Sequence, residues 1–319
     1  MEPMLLKPVG KDYLWGGNRL KTEYFKEISL EPLAESWECS IHPDGLSFVS
    51  NGENKNRTLA NVLEQHPEYL GSKAHGEFPL LVKFIDAKLD LSVQVHPDDD
   101  YARLHENQNG KTEMWYVLDA LPGASLVIGF AHDVTAEKLS DSIRKGDLGK
   151  HLRNIPVHKG DVFLIPAGQV HAIGAGVLLA EIQESSNVTY RVYDYNRLDR
   201  NGNKRELHFR KALDVMNMRA SPPVRQPARL IRYYPGCSRE IICRCRYFET
   251  ERIQVSQAFS FSVYDTSFQV ILCTDGSGGL ESGDRHRPVR FKKGDCVFLP
   301  AGLGRCHIVG TLELLKIRC

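Results

Sequence analysis

The chain has no surplus of either charge. Its 41 lysines and arginines stand against 40 aspartates and glutamates, well mixed along 319 residues, for a formal net charge of +1. Without a basic face there is no electrostatic footprint for nucleic acid, and without an acidic run there is no solvating tail. Long apolar runs are also missing. No window approaches the roughly 18 consecutive apolar residues of a spanning helix, and the start, MEPMLLKPVGKDYLWGG, has no charged leader followed by an apolar stretch. A cytoplasmic protein without membrane contact is expected. No G-x-x-x-x-G-K-[ST] loop and no glycine-rich strand-to-helix turn is present, so there is no ready nucleotide cradle. Nor is there a heptad pattern, and a monomer is expected. The eight cysteines lack a pattern rather than numbers. Seven lie after position 236, and Cys243-Arg-Cys245 is followed by no second Cys/His pair at zinc-finger spacing. They read as reduced thiols in strands.

What is present is a succession of short segments rich in Val, Ile, Leu and Phe: PLLVKFIDA (79–87), LSVQVH (91–96), MWYVLDA (114–120), SLVIGFA (125–131), DVFLIPA (161–167) and VLLAEIQ (177–183). Gly, Pro, Asn and Asp separate them, the pattern of a mainly β sandwich or barrel rather than of βαβ units. Helices are predicted over 58–71, opened by Thr58, and over 135–146, opened by Thr135 and closed by Gly146. A third is expected within 206–217.

Three prolines fall in ASPPVRQPA (220–228), which reads as a linker. A repeat spans it: HKGDVFLIPAG at 158–168 returns as KKGDCVFLPAG at 292–302. A Lys-Gly-Asp turn, an apolar strand and a Pro-Ala-Gly turn occur twice, the mark of one duplicated β-unit. Twelve residues beyond the lysine, Lys159 leads to His171 but Lys293 leads to Arg305, and His307 is out of register. The first copy is therefore expected to work and the second to be structural or to cover it. The expected division is 1–220, with the helices, and 221–319, without a metal.

Gln94 and His96 lie two apart on a strand and point to one face. Glu113 opens the next strand, and His171 follows the Pro-Ala-Gly turn. Two imidazoles, a carboxylate and an amide oxygen make a first shell for zinc that leaves a position open. Singly, each signal also fits an ordinary strand residue. Their order, Q-x-H, then Glu, then a distant His after P-x-G, is how a cupin barrel collects ligands from separated strands.

At these residues the sequence resembles a known family. FPLLVKFIDAKLDLSVQVHPDD (78–99), GKTEMWYVLDA (110–120) and PAGQVHAIGAGVLLAEIQESSNVTYRVYDYNR (166–197) are similar, in order, to the signature segments of type I phosphomannose isomerases. WGGNRL (15–20), AESWECS (34–40) and ELHFRKALDV (206–215) resemble the short bacterial form. The resemblance implies two cupin-like barrels with a few helices on the first, and one Zn2+ per chain held by Gln94, His96, Glu113 and His171. It further implies Arg191 and Lys111 as catalytic residues and Glu181 in the substrate pocket. One departure is Ser186-Asn187-Val188-Thr189-Tyr190-Arg191, where the long eukaryotic form has S-D-N-V-x-R. The large helical insertion of long forms is also reduced here.

The implied reaction interconverts D-mannose 6-phosphate and D-fructose 6-phosphate through a cis-enediol. It needs a group that carries a proton between C1 and C2 and a positive centre facing the developing oxyanion. Lys111 is a candidate for the first, zinc and Arg191 for the second. Salt bridges from Arg191 to Asp194 or Glu181 are the structural alternative. Lys83, Lys88 and Arg103 are scattered candidates for the phosphate, and Trp15, Trp37 and Trp115 for sugar-facing or core surfaces. Two other functions share the residues: a cupin oxidoreductase using iron, and a sugar-sensing cupin with a structural metal.

Overall fold

A computed structural model of the chain describes residues 1–74, 76–199, 201–222, 226, 228–283 and 288–319. Much of the expected linker, 223–225 and 227, lies outside the described residues. The protein is mainly β, as expected, and the described residues form three sheets of ten, six and five strands. Two of the predicted helices form as Leu59–Gln65, which passes into a 3-10 turn at Pro67–Leu70, and Ala136–Lys145. The Thr58 and Thr135 side chains cap them by accepting from the Asn61 and Lys138 amides, and Gly146 ends the second at φ 74°. The third forms as Phe209–Val215. The sequence reading had not anticipated Arg19–Thr22 or Asp99–Glu106, the latter capped by Asp98 through the Tyr101 amide.

The six-stranded sheet is the middle layer, and strand alternation divides its side chains between two interiors. From Leu80–Ala87, Glu113–Ala120 and Val177–Glu184, the residues Ile85, Ala87, Trp115, Val117, Val177 and Leu179 face the five-stranded sheet, where they meet Leu126, Ile128 and Ile173. Their neighbours Val82, Phe84, Met114, Tyr116, Leu178 and Ile182 face the opposite way. There they pack with Phe248, Phe268, Val270, Phe298 and Leu315 of the ten-stranded sheet. All three strands are buried along their length or nearly so because each serves two cores.

The ten-stranded sheet draws on both ends of the chain, for Met4–Lys7 pairs antiparallel with Cys296–Leu299. The two copies of the repeat fold alike. Gly160 and Gly294 adopt φ 90° and φ 93°, a region open to glycine at little cost. In each turn the aspartate closes the loop: Asp161 accepts from the His158 amide at 2.9 Å and Asp295 from the Lys292 amide at 2.8 Å. The next turns match too, with Gln169 N donating to Pro166 O and Leu303 N to Pro300 O. Beyond them the copies diverge, since His171 is buried and Arg305 is exposed.

All eight cysteines are unpaired. No helix among the described residues is long and apolar enough to cross a membrane.

Phe268 stacks on Phe298 at 5.4 Å and tilts against Phe78 at 5.0 Å, joining the C-terminal sheet to the middle layer. Phe268→Ala should lower the unfolding free energy by about 3–5 kcal/mol in urea titration. A change below about 1 kcal/mol would show that the two sheets do not unfold together through this core.

Candidate metal centre and cleft

Three strands deliver the centre. Val93–Val95 carries Gln94 and leads into His96, Glu113 opens Glu113–Ala120, and His171 opens His171–Ile173. His171 and Gln94 are register partners, and Gln94 is also paired with Arg191 on Tyr190–Tyr193. Two rungs of the five-stranded sheet thus place an imidazole, an amide and a guanidinium side by side.

His96, Glu113 and His171 are buried and group their donor atoms within 4.8 Å of one another. His96 Nε2 lies 3.5 Å from Glu113 Oε2, His171 Nε2 lies 3.4 Å from Glu113 Oε1, and the Gln94 amide is 3.3 Å from His171 Nε2. Donors about 2.1 Å from a tetrahedral ion are roughly 3.4 Å apart, so the spacing suits a bound divalent cation. The hydrogen bonding agrees. Neither ring nitrogen of His96 nor Oε1 of Glu113 has an aligned hydrogen-bond partner, and Glu113 Oε2 faces only the Lys111 ammonium and His96, a costly state for buried polar atoms that a cation would relieve. His171 Nδ1 lies 2.8 Å from Gln169 O, which fixes the proton on Nδ1 and leaves the Nε2 lone pair for a ligand bond.

Charge settles in the same sense. Burial, then the Lys111 ammonium, push the His96 imidazole down to about 3, and burial lowers His171 as well. Both rings are neutral at physiological pH, the form that binds metal. Burial alone would raise the Glu113 carboxyl, but the Lys111 ammonium outweighs it and holds it well below the usual range. Lys111 Nζ is 3.0 Å from Glu113 Oε2 and 4.0 Å from Glu181 Oε1. Glu181 is held in turn by Lys83 at 3.1 Å and by the Trp115 indole at 3.0 Å, and Lys83 reaches Glu35 at 3.8 Å.

A cleft of about 240 Å³ opens onto this array. Gln94, Lys111, Glu181 and Arg191 line it, with Lys83 and Trp15. Arg191 forms neither of the salt bridges weighed as alternatives. Its Nη1 donates to Glu206 O at 2.8 Å, its buried Nε has no partner, and Asp194 is taken by Arg197 and Arg205. Lys88 is exposed and not among the cleft residues, while Arg103 is exposed on the helix Asp99–Glu106 away from it. Trp37 and Trp115 are core residues. Tyr13, Glu35, Asn187 and Arg205 also line the cleft and were not singled out in the sequence. Only Tyr13 had a local signal, two residues before Trp15, on which it stacks at 5.5 Å.

Comparison with known proteins agrees with this geometry. Residues 4–120 match the model of the phosphomannose isomerase type I catalytic domain and residues 240–319 that of the mannose-6-phosphate isomerase cupin domain. The chain is 38% identical over 315 residues to mannose-6-phosphate isomerase ManA of Bacillus subtilis, covering 98% of both chains. The chain belongs to the type I phosphomannose isomerase family. A Streptococcus mutans mannose-6-phosphate isomerase is 37% identical, with 98% of this chain and 97% of that protein covered. The crystal structure of mannose 6-phosphate isomerase from Bacillus subtilis superposes with a TM-score of 0.90 at 35% identity, covering 99% of each chain. A phosphomannose isomerase structure from Salmonella typhimurium shares the fold at 16% identity, TM-score 0.79. Membership in the phosphomannose isomerase family thus extends through the C-terminal third, where the sequence resemblance had been weakest.

On the opposite face of the middle sheet, Glu184 is buried with its Oε1 2.6 Å from the Thr112 amide. Burial, with Asp99 adding to it, raises this carboxyl from 4.5 to about 7 against the pull of that amide. Because the folded state holds the proton more tightly, its stabilising contribution is complete below about pH 4.5 and is lost as pH rises through about 7. Glu184→Gln should therefore gain stability relative to the unmodified protein over that window and level off above it. Urea titrations at pH 5 and pH 8 check this: an equal difference at both would mean the carboxyl titrates normally.

Proposed function

We propose that the protein is a zinc-dependent aldose-ketose isomerase interconverting D-mannose 6-phosphate and D-fructose 6-phosphate. The observation that carries this reading is the orphaned donor set of His96, Glu113 and His171 beside a cleft lined by Lys111, Glu181 and Arg191. Gln94 completes the proposed ligand set, its amide turning to present oxygen. A d¹⁰ zinc ion suits a reaction with no net redox change, and when bound it supplies Lewis acidity where enediolate charge develops.

The chain's own groups do the rest. Once its ammonium has given up a proton, the Lys111 amine between Glu113 and Glu181 takes the proton from C2 of the aldose and returns it to C1 of the cis-enediol while the O2 hydroxyl proton passes to O1, and the reverse reaction runs the same path backwards. Glu181 fixes the direction of that ammonium or amine and is fixed itself by Trp115 and Lys83. Burial alone lowers Lys83, but Glu181 and Glu35 outweigh it and keep its charge. Arg191 offers its unpartnered Nε to a sugar oxygen. Besides Lys111, the three cations Lys83, Arg191 and Arg205 against the carboxylates Glu35 and Glu181 favour an anionic sugar. An iron oxidoreductase would be expected to present two histidines and a carboxylate with several open positions, and the amide of Gln94 favours the isomerase.

We also propose a division at 1–220 and 221–319 into two cupin-like barrels, the second without metal; the matched turns at 158–168 and 292–302 support it. A cytoplasmic monomer is part of the same reading.

The test is a coupled assay for fructose 6-phosphate from mannose 6-phosphate, with chelator and with zinc restored. Turnover that chelator removes and zinc restores is expected; no turnover by folded, zinc-loaded protein would leave a sugar-sensing cupin. His96→Ala should lose most of its metal along with activity, and full occupancy would refute the ligand set. Arg191→Ala should keep its metal and lose about a hundredfold in kcat; an unchanged rate would make Arg191 structural.

A further inference from the structure

Every backbone amide of the segment Gly110-Lys111-Thr112 is held from outside the segment. Gly110 N donates to Asp99 Oδ1 at 3.1 Å, Lys111 N to Pro97 O at 3.0 Å, and Thr112 N to Glu184 Oε1 at 2.6 Å. The grip on Thr112 is reciprocal, since Glu184 N donates to Thr112 O at 3.1 Å. Gly110 sits so close to the start of the helix Asp99–Glu106 that an added Cβ would come within 2.5 Å of the Asp98 carbonyl carbon and the Asp99 nitrogen. Asp99 and Glu184 are in reach of each other, and the second oxygen of Asp99 accepts from the Tyr247 hydroxyl at 3.1 Å. Tyr247 lies in the turn between the strands Cys237–Arg244 and Glu249–Val255 of the ten-stranded sheet. The cleft between the sheets here is lined by Asp99, Arg103, Glu184, Cys245 and Tyr247.

We infer that Asp99 and Glu184 form a carboxylate clamp that positions Lys111 for proton transfer, and that Tyr247 of the C-terminal sheet braces it. The clamp lies behind the strand, on the face away from the cleft, so neither carboxylate touches the sugar. It acts through the backbone on either side of Lys111. A long side chain hung from a loose backbone would sweep out several positions of its Nζ, and displacement by about 1 Å at a reacting group can cost on the order of a hundredfold in rate. The C-terminal sheet thereby gains a role in the rate that does not depend on holding a metal. The inference rests on the proton-carrying role of Lys111 proposed above.

Three variants test it at saturating mannose 6-phosphate, with kcat, KM, bound zinc and thermal midpoint measured for each. Asp99→Ala combined with Glu184→Ala should lower kcat about tenfold or more, leave KM within about twofold, and keep its zinc. Asp99→Asn with Glu184→Gln keeps both acceptor oxygens and should recover kcat to within about threefold. Tyr247→Phe removes one hydroxyl, should fold normally, and should lower kcat by about threefold or more. A folded alanine pair with unaltered kcat overturns the clamp, as does loss of zinc in step with loss of rate. If the alanine pair does not fold, the Tyr247→Phe rate decides, and an unaltered kcat there overturns the brace and the clamp together. Lys111→Ala, run alongside, separates the two readings. An active Lys111→Ala variant removes the base assignment and the clamp with it, whereas an inactive one beside a fully active alanine pair removes the clamp alone.

Discussion

Glu113 is a carboxylate with no exposure to solvent, and the arrangement around it follows from that. Burying an ionised carboxylate costs several kcal/mol unless opposite charge and hydrogen bonds replace the lost water. Here Lys111 supplies one positive charge at 3.0 Å. The two nearest imidazoles are neutral and contribute lone pairs rather than charge. A divalent cation between them would complete the compensation, which is why the same atoms that lack hydrogen-bond partners are those spaced as ligands.

From Glu113 the requirement propagates. Lys111 needs a second anion, met by Glu181, and Glu181 is shared with Lys83, which reaches Glu35. Signs alternate along this buried row, so no member is left uncompensated and each restricts the rotamers of the next. Such a row survives only between dry, close-packed layers. Ile85, Trp115, Val117 and Leu179 close one side of it, and the Phe78–Phe268–Phe298 cluster backs the middle sheet from behind. The C-terminal sheet is thus part of the site's support, though none of His96, Glu113 and His171 lies on it.

The repeat shows how one β-unit serves two ends. Both copies keep the glycine at positive φ and the aspartate that closes the turn, because these determine whether the loop forms. The residue twelve positions after the lysine is free of that constraint. As His171 it is buried against Glu113; as Arg305 it is exposed.

How much was legible in the sequence depended on the range of the interaction concerned. Strand alternation, the caps at Thr58 and Thr135, the closing Gly146 and the Lys-Gly-Asp turns are local effects acting within a few residues, and the chain alone determined them. The clustering of His96, Glu113 and His171 was legible for a related reason: these residues sit at or beside strand ends whose order in the sequence is kept. The helix Asp99–Glu106 was missed although Asp98 caps it, because its short apolar face carries little periodic signal. Only the tertiary structure decided that Met4–Lys7 joins the C-terminal sheet, that Asp194 binds Arg197 and Arg205 and leaves Arg191 to the cleft, and that Tyr247 reaches Asp99 across 148 residues. Those contacts are made by closing long loops, and which loops close is set by how the three sheets pack against one another rather than by any pattern along the chain.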